Sequence, residues 1–557
     1  PVTYFMVEVI EGSLYAFSMS MITYYAGLLV WRERDARMDE IEDVTPSVTW
    51  VRYAAKLGAL LGIMAVMQAL MMATGIATQS WLGYHRYQLD LYLSELFVYD
   101  FSWFVLITVL AFFVHVLCPN KYVGYFAFII FVVAQGFIWR PLDVGTRMVR
   151  FGSRPSYTYS DLYGMAPYLE GWWWFTAYWG VFCLLLAALT VAWWPRGKEA
   201  VRKRLTTPAI AIAGCFAVIA GWIYYNTQVL NTVIGPKTGL NMRAEYEKTY
   251  KKYQGLPQPR IQSVRYDIDI YPEKRSLSLR GDQVIENKTS KVIPEIHIVV
   301  DRDFETVVDL EGAKLSMDDK RLSYRIYKLD PPMQPGEKRH MKYTVKREPK
   351  GIEDEVRVMQ IVQNGTFFNS GIVPQIGYQP DGELDERNER KKRGLPEKDL
   401  MPKLERDCTA NCMNTYISNN SDWVSVESVV STSPDQIAIA PGSLVREWTE
   451  GGRRYFHYKV DKDSLNFYSF MSARYQVERK TVNGIQMEVY YHPEHTWNVP
   501  KMMSAMERSM DYYTKNFGPY MHKQTRIIEF PRVASFAQAF PGTMPYSESI
   551  GFVAKLD

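Results

Sequence analysis

The chain has 557 residues and a mass of 64.6 kDa, which gives room for three or four domain-sized units. Its formal net charge of +4 is small for that length and spread along the chain, which argues against a nucleic-acid partner. The mean hydropathy of −0.19 averages an apolar first part with a charged remainder.

Six stretches are apolar enough, and close enough to the roughly 20 residues that a bilayer core requires, to cross it as helices. They are Ser13–Trp31, Leu57–Thr78, Phe101–Cys118, Tyr122–Trp139, Trp172–Trp194 and Pro208–Tyr225. In lipid every backbone polar group must be satisfied within the segment, so helices are predicted despite the β-branched and aromatic content. Glu8 and Glu11 leave the start of the first span open. Thr207 before Pro208 reads as a cap followed by a proline at the first helical position. Trp172, Trp173 and Trp174 at one end, with Trp193 and Trp194 at the other, bracket the fifth span like interfacial anchors.

Orientation follows from the Lys/Arg bias. Arg32, Arg34, Arg37, Arg52 and Lys56 follow the first span, and Arg196, Lys198, Arg202, Lys203 and Arg204 precede the last. With six spans these two loops share a side, which the positive-inside rule makes cytoplasmic. The loops 80–100 and 140–171 then lie outside, although Arg140, Arg147, Arg150 and Arg154 weaken the contrast. Everything after Tyr225 is expected to be extracytoplasmic. His115 sits within an apolar span, where ionisable groups are functional candidates. No acidic residue shares that span, so a neutral imidazole bonded to a neighbouring helix is the simpler expectation.

Of five cysteines, Cys118, Cys183 and Cys215 fall in or beside apolar runs. Cys408 and Cys412, in Cys-Thr-Ala-Asn-Cys, read as a local disulfide in an oxidising compartment. A zinc site would need further ligands that the neighbourhood lacks. The chain begins without Met or a cleavable signal pattern, and it is expected to be an internal piece of a longer protein.

Residues 31–47, Trp-Arg-Glu-Arg-Asp-Ala-Arg-Met-Asp-Glu-Ile-Glu-Asp-Val-Thr-Pro-Ser, read by themselves as a solvated, salt-bridged helix ending before Pro46. The stretch also resembles the elbow helix of ABC exporter permeases, which docks on the ATPase. Tyr-Ser-Asp-Leu-Tyr-Gly at 159–164, before a Trp-rich span and a basic turn, resembles a subgroup of those permeases with a peptidase-like domain fused behind them. The resemblance implies an ATPase-coupling loop carrying Glu33, Glu40, Glu42 and Pro46. No Gly-x-x-x-x-Gly-Lys occurs, so the ATPase would be a separate chain.

The stretch Asn241–Gly255, with Arg243, Glu245, Glu247, Lys248, Lys251 and Lys252, is helical in pattern and is expected as a stalk. Strict alternation then sets in, with Val264, Tyr266, Ile268 and Ile270 on one face and Arg265, Asp267 and Asp269 between them, the mark of a half-buried strand. Further strands are predicted at Leu277–Leu279, Ile296–Val300, Met341–Val345, Trp423–Val430, Gln436–Ala440 and Tyr455–Val460, with a turn at Gln334-Pro335-Gly336-Glu337. Such regular short strands suggest a sandwich or a saddle-shaped sheet.

Over residues 258–557 the chain resembles the aminopeptidase N family of zinc peptidases. The resemblance is carried by Tyr-Asp-Ile-Asp-Ile-Tyr-Pro (266–272), Leu-Ser-Leu-Arg-Gly (277–281) and Pro335-Gly336-Glu337. Further on, the order continues with Ile485–Tyr490, a Met-rich helix, Phe517-Gly518-Pro519-Tyr520 and Phe540-Pro541-Gly542-Thr543-Met544. The resulting fold class is a multi-pass helical transmembrane domain, then an all-β saddle or sandwich domain, then the start of an α+β metallopeptidase-like domain. The expected boundaries are 1–231, a linker at 232–257, the amino-terminal β-domain at 258–480, and the thermolysin-like beginning at 481–557. Met503, Met506, Met510, Tyr513 and Phe517 recur at helical spacing and predict one apolar face.

Peptidases of this class need His-Glu-x-x-His on a helix to hold zinc beside a general base. The eight histidines, His85, His115, His297, His340, His457, His492, His495 and His522, do not make it, so no catalytic or metal residue is assigned here. A metal role for the His-x-x-His pair His492 and His495 is the weaker reading of those two. Zinc is expected only with such a motif beyond Asp557.

Pro545 stands where the family's Gly-x-Met-Glu-Asn places the Glu that binds the substrate's free amine. The resemblance therefore gives Gly542, Met544 and the nearby Glu548 as substrate-binding residues, with Glu548 facing the wrong way if the strand continues through it.

The leading expectation is an ABC-type exporter permease with an extracytoplasmic metallopeptidase-like domain that transports, and could trim, peptides. The alternative is a non-catalytic binding module, and a third reading is an external domain merely anchored by the helices. The implied partners are the lipid bilayer, a separate ABC ATPase and a peptide or protein substrate; homo-oligomerisation is left open. The resemblances imply a bacterial inner membrane, with 232–557 periplasmic.

Overall fold

The computed structural model describes residues 2–194, 202–398 and 421–553, so the expected Cys408–Cys412 disulfide lies outside the described residues. The chain divides into two compact units. One comprises Pro1–Tyr157, Tyr168–Pro236 and Lys350–Val356; the other comprises Thr158–Pro167, Lys237–Pro349 and Arg357–Asp557.

The first unit is helical. It contains α1 (Thr3–Asp35), α2 (Asp39–Val44), α3 (Thr49–Trp81) and α4 (Leu89–Tyr92), the last continuing through a π-helical turn (Leu93–Asp100) into α5 (Phe101–Leu117). After these come α6 (Lys121–Phe137), α7 (Ala166–Trp193) and α8 (Arg202–Tyr224). Among the described residues five helical stretches are long and apolar enough to cross a membrane: Thr3–Asp35, Thr49–Trp81, Leu89–Leu117, Leu169–Trp193 and Thr207–Leu230. The fourth expected span corresponds to α6, which is apolar but only 17 residues long. The Asn120 side chain caps its start, accepting from the Val123 amide at 3.0 Å.

Ile22, Ala26, Leu60, Met64, Phe112, Phe128 and Phe175 are fully buried inside this unit. Two buried polar side chains illustrate how internal partners are found in apolar surroundings. Tyr92 donates to Gln79 Oε1 at 2.8 Å, and Gln68 Nε2 donates to the Leu96 carbonyl at 2.6 Å. His115 departs from the expected interhelical hydrogen bond. Neither ring nitrogen has a hydrogen-bond partner among the described residues. Its ring sits over Gly27 and Gly124, edge-on to Tyr125 at 5.0 Å, so glycine backbones provide the room.

The second unit opens with α9 (Pro236–Tyr250). The strands that follow are β1 (Arg260–Tyr271), β2 (Ser276–Glu286), β3 (Ile293–Val299), β4 (Glu305–Leu310), β5 (Ala313–Asp319), β6 (Tyr324–Met333), β7 (Lys338–Arg347), β8 (Thr366–Asn369) and β9 (Gln375–Ile376). After α10 (Arg387–Lys392) come β10 (Ser421–Thr432), β11 (Ile437–Ile439), β12 (Ser443–Glu450), β13 (Arg453–Lys459), β14 (Ser464–Leu465) and β15 (Ser469–Ala473). The described chain ends with β16 (Gln476–Val482), β17 (Ile485–Tyr491), α11 (Val499–Phe517), β18 (Gln524–Phe530) and β19 (Thr543–Ser547).

The largest sheet runs β12-β13-β10-β1-β2-β7-β4, with smaller sheets β5-β6-β3-β9, β11-β15-β8 and β16-β17-β18-β19. Val264, Tyr266, Ile268 and Ile270 of β1 are buried, as the alternation requires. Each such apolar side chain contributes about 1.5–3 kcal/mol on full burial. Opposite Tyr266 stands Gly281, where an added Cβ would lie 2.3 Å from the Tyr343 ring; only glycine admits that ring. The Tyr266 and Tyr468 hydroxyls meet at 2.7 Å in the same interior.

The stretch expected as a stalk is α9 with the short 3-10 turn that follows, and it is packed into this unit. Tyr246 stacks on Tyr378 at 5.2 Å and Tyr250 on Tyr324 at 4.0 Å. Between them Glu247 accepts from both Arg390 Nη atoms, at 2.7 and 2.8 Å. Tyr246, Tyr250 and Tyr253 form one aromatic face at helical spacing, which the high density of charges around them conceals in the sequence.

In the last sheet β16 and β17 form a hairpin through Asn483-Gly484, both at positive φ as the tight two-residue turn demands. Strands β17, β18 and β19 are parallel, with α11 crossing between the first two. α11 buries Met503 and Met506, while Tyr513 and Phe517, at the far end of the expected apolar face, are exposed.

Candidate functional site

Three adjacent parallel strands bring their carboxyl ends to one edge of the last sheet, where ligand crevices form in sheets of this kind. His492 is the first residue after β17, Glu529 the penultimate residue of β18, and Glu548 the first residue after β19. His495 follows His492 in the connection to α11.

Glu529 lies within Ile527-Ile528-Glu529-Phe530 and is wholly buried. One of its oxygens accepts from the His492 amide at 2.6 Å, and the other meets His495 Nδ1. On the far side of the ring, His495 Nε2 donates to Asp161 Oδ2 at 3.0 Å. Asp161 comes from the short stretch Thr158–Pro167, which belongs to this unit although it lies between α6 and α7 in sequence. The stretch forms a turn closed by backbone bonds between Ser160 and Gly164. Ser160 Oγ donates to Glu548 Oε2 at 2.8 Å. Leu162 enters an apolar cluster with Ile439, Met471, Tyr490 and Ile528, and its carbonyl accepts from Asn364 Nδ2 at 2.7 Å.

Burial works against a charged His495, but hydrogen bonds to Asp161 and Glu529 outweigh it and push the imidazole up to about 10. The ring is therefore an imidazolium near neutrality. Glu548 is driven well above the usual carboxylate range by burial and then by the nearby Asp161 and Glu529; the Ser160 hydrogen bond and His495 offset this only in part. Glu548 Oε1 has no hydrogen-bond partner among the described residues. Three carboxyl groups thus surround a single imidazolium. An ammonium group placed against Glu548 would favour its ionised form and satisfy the orphaned oxygen.

The zinc ion that the sequence resemblance implies does not fit these residues. Both nitrogens of His495 are engaged by carboxylates, and among the described residues no group of three His, Cys, Asp or Glu side chains is arranged to hold a metal.

Of the sequence-predicted residues, Glu548 reaches this cluster. The strand ends at Ser547 and the chain enters a short π-helical turn, Glu548–Phe552, so the alternation that would have turned Glu548 away no longer applies. Met544 instead packs beside Met487, Met503 and Met506. Gly542 has φ +64°, and an added Cβ would lie 2.8 Å from Gln524 Nε2, so it serves close approach of the chain. Pro545 is buried opposite Ile528. In the helical unit Glu33 pairs with Lys56, and Glu42 lies 3.5 Å from Arg52, which also bonds Asp43 at 3.1 Å. Glu40 and Pro46 are exposed beside Ile41 and Val44, which are 65% and 86% exposed.

Sequence reasoning missed Ser160, Asp161 and Glu529. The signal for Glu529 was present, a lone carboxylate in an otherwise apolar strand. Nothing local in Ser160-Asp161 announces a partner more than 300 positions away.

No family model matches the chain, and no curated protein matches it. Among solved structures, the M1 zinc metallopeptidase from Deinococcus radiodurans matches with a TM-score of 0.36 and 12% identity, over 53% of this chain and 61% of that chain. A point mutant of that enzyme gives 0.36 and 11%, over 52% and 61%. A two-domain M1 zinc metallopeptidase mutant bound to L-arginine gives 0.36 and 12%, over 53% and 62%. The chain spans about three-fifths of the length of these structures. What the site does has to come from its own residues.

Proposed function

We propose that this chain is the membrane subunit of an ABC-type exporter whose extracytoplasmic, peptidase-like unit receives peptides by their free amino terminus. The observation that carries the receiving role is the wholly buried Glu548, with one unpartnered oxygen, beside Asp161 and Glu529 and only one imidazolium. A peptide's terminal ammonium supplies the missing charge and the missing donors, and an acetylated terminus supplies no charge. Binding is the role these residues support. The non-catalytic alternative is favoured by Pro545, which stands where the resemblance places the amine-binding Glu.

Five long apolar helices support the membrane role. In sidedness, residues 158–167 belong to the β-rich unit yet connect α6 to α7, so that connection and the unit share one face of the bilayer. With α6 taken as a sixth crossing, the Lys/Arg bias makes that face external. The coupling role of the first cytoplasmic loop is supported by the short helix α2, which leaves Ile41 and Val44 uncovered next to exposed Glu40. These groups are suited to dock in a groove of a separate ATPase.

Two measurements test the proposal. Reporter fusions after Lys56 and after Arg204 should read as cytoplasmic, and one after Gly255 as external; the reverse pattern defeats the topology. The purified protein should bind a free-amine peptide at least tenfold more tightly than its N-acetylated twin, and Glu548→Gln should erase that preference. Equal affinity for both peptides in the wild type defeats the receiving role.

A further inference from the structure

The carboxylate assigned to the amine is sealed. Glu548 has no exposed surface, and its Oε2 is already capped by the Ser160 hydroxyl. The sealing element is the 158–167 turn. Three anchors hold it down: Ser160 on Glu548, Asp161 on His495, and Leu162 among Ile439, Met471, Tyr490 and Ile528 with its carbonyl on Asn364. The turn therefore fills the site with a hydroxyl donor, a counter-charge for the imidazolium and an apolar side chain.

We propose that the 158–167 turn is a removable plug that keeps the amine site closed, and that peptide binding requires its withdrawal. This rests on the reading of Glu548 given above. A site whose competent form is a minor population binds with an apparent affinity reduced by that fraction, and loosening the plug removes the penalty. Segments that open to admit ligand belong to the low-stability end of a fold. The plug is continuous with α6 and α7, so a rearrangement of those helices would act on the turn through the chain itself. A peptide would then be admitted when the helical unit changes state.

The test uses the full chain in lipid nanodiscs and an alanine pentapeptide labelled at its carboxyl end, free or acetylated at its amino end. Leu162→Ala empties the apolar anchor without touching a charged group. It should tighten binding of the free-amine peptide at least fivefold and leave the acetylated twin unchanged, and adding Glu548→Gln should abolish the gain. Ser160→Ala, a milder change, should act in the same direction. Independently of any variant, amides of 158–167 in the wild type should exchange with deuterium faster than those of β18, and faster still when the free-amine peptide is bound. If Leu162→Ala and Ser160→Ala bind no better than wild type while Glu548→Gln still erases the amine preference, the plug is wrong and the amine site stands. Exchange of 158–167 as slow as that of β18 also overturns the plug. If no form of the protein prefers the free amine, the underlying reading falls and the plug with it.

Discussion

Asp161 and His495 are 334 positions apart in the sequence and 3.0 Å apart in the fold, and a second carboxylate, Glu529, holds the opposite nitrogen of the same ring. The imidazolium is the hub that joins the 158–167 turn to the carboxyl ends of β17 and β18.

The hub has a pH signature. The folded state holds the His495 proton up to about 10, against about 6.5 for an ordinary histidine, so the folded state is favoured by its protonation. That stabilisation is fully present below about pH 6.5 and is lost as pH rises towards about 10. Thermal unfolding of the second unit in detergent should fall across this window in the wild type, and fall less in His495→Gln.

Removing the deeper carboxylate should cost more than removing the shallower one. Glu529→Gln leaves a buried imidazolium facing an amide and weakens the bond to the His492 amide, a loss of about 3 kcal/mol. Asp161→Asn should cost about 1–2 kcal/mol, because Glu529 still pairs with the ring. Chemical unfolding of the two variants side by side checks the order.

A second buried ion pair fixes α9. Arg390 and Glu247 are each 2% exposed and joined by two hydrogen bonds. Arg390→Met alone should destabilise the second unit by roughly 3 kcal/mol, because it leaves the buried Glu247 carboxylate to the partly exposed Lys251, 3.0 Å away. Adding Glu247→Met should recover most of the loss, which unfolding of the single and double variants would reveal.

In the helical unit the seat of His115 is exclusive to glycine. A Cβ at Gly124 would lie 2.2 Å from His115 Nδ1, so Gly124→Ala should cost about 1–3 kcal/mol through overpacking. His115→Ala in the same chain should relieve it, a coupling that a double-mutant cycle on detergent unfolding would measure.

Long-period signals were legible in the sequence. Apolar runs located the membrane-length helices, strict alternation located β1, and short apolar or alternating runs located β2, β3, β7, β10, β11 and β13. Strands β12 and β16 escaped because they lie at sheet edges and are largely exposed, so no alternating apolar pattern is imposed on them. Glu548 could be located, but its direction depended on where β19 stops, a tertiary fact. Asp161 stands out only as one residue of the 159–164 motif, since a partner 334 positions away leaves no trace in local pattern.

The two stretches traded between the units bear on how this protein can be cut. A fragment starting at residue 237 would lack Ser160, Asp161 and Leu162, leaving a vacant socket lined by His495, Glu548 and Ile528. A fragment stopping at residue 236 would lack Asp354, which takes hydrogen bonds from Thr146 and the Arg147 amide at 3.0 Å. The seam that composition suggests is therefore a poor place for the scissors, and a synthetic 156–169 peptide supplied in trans should rescue the carboxyl-terminal fragment.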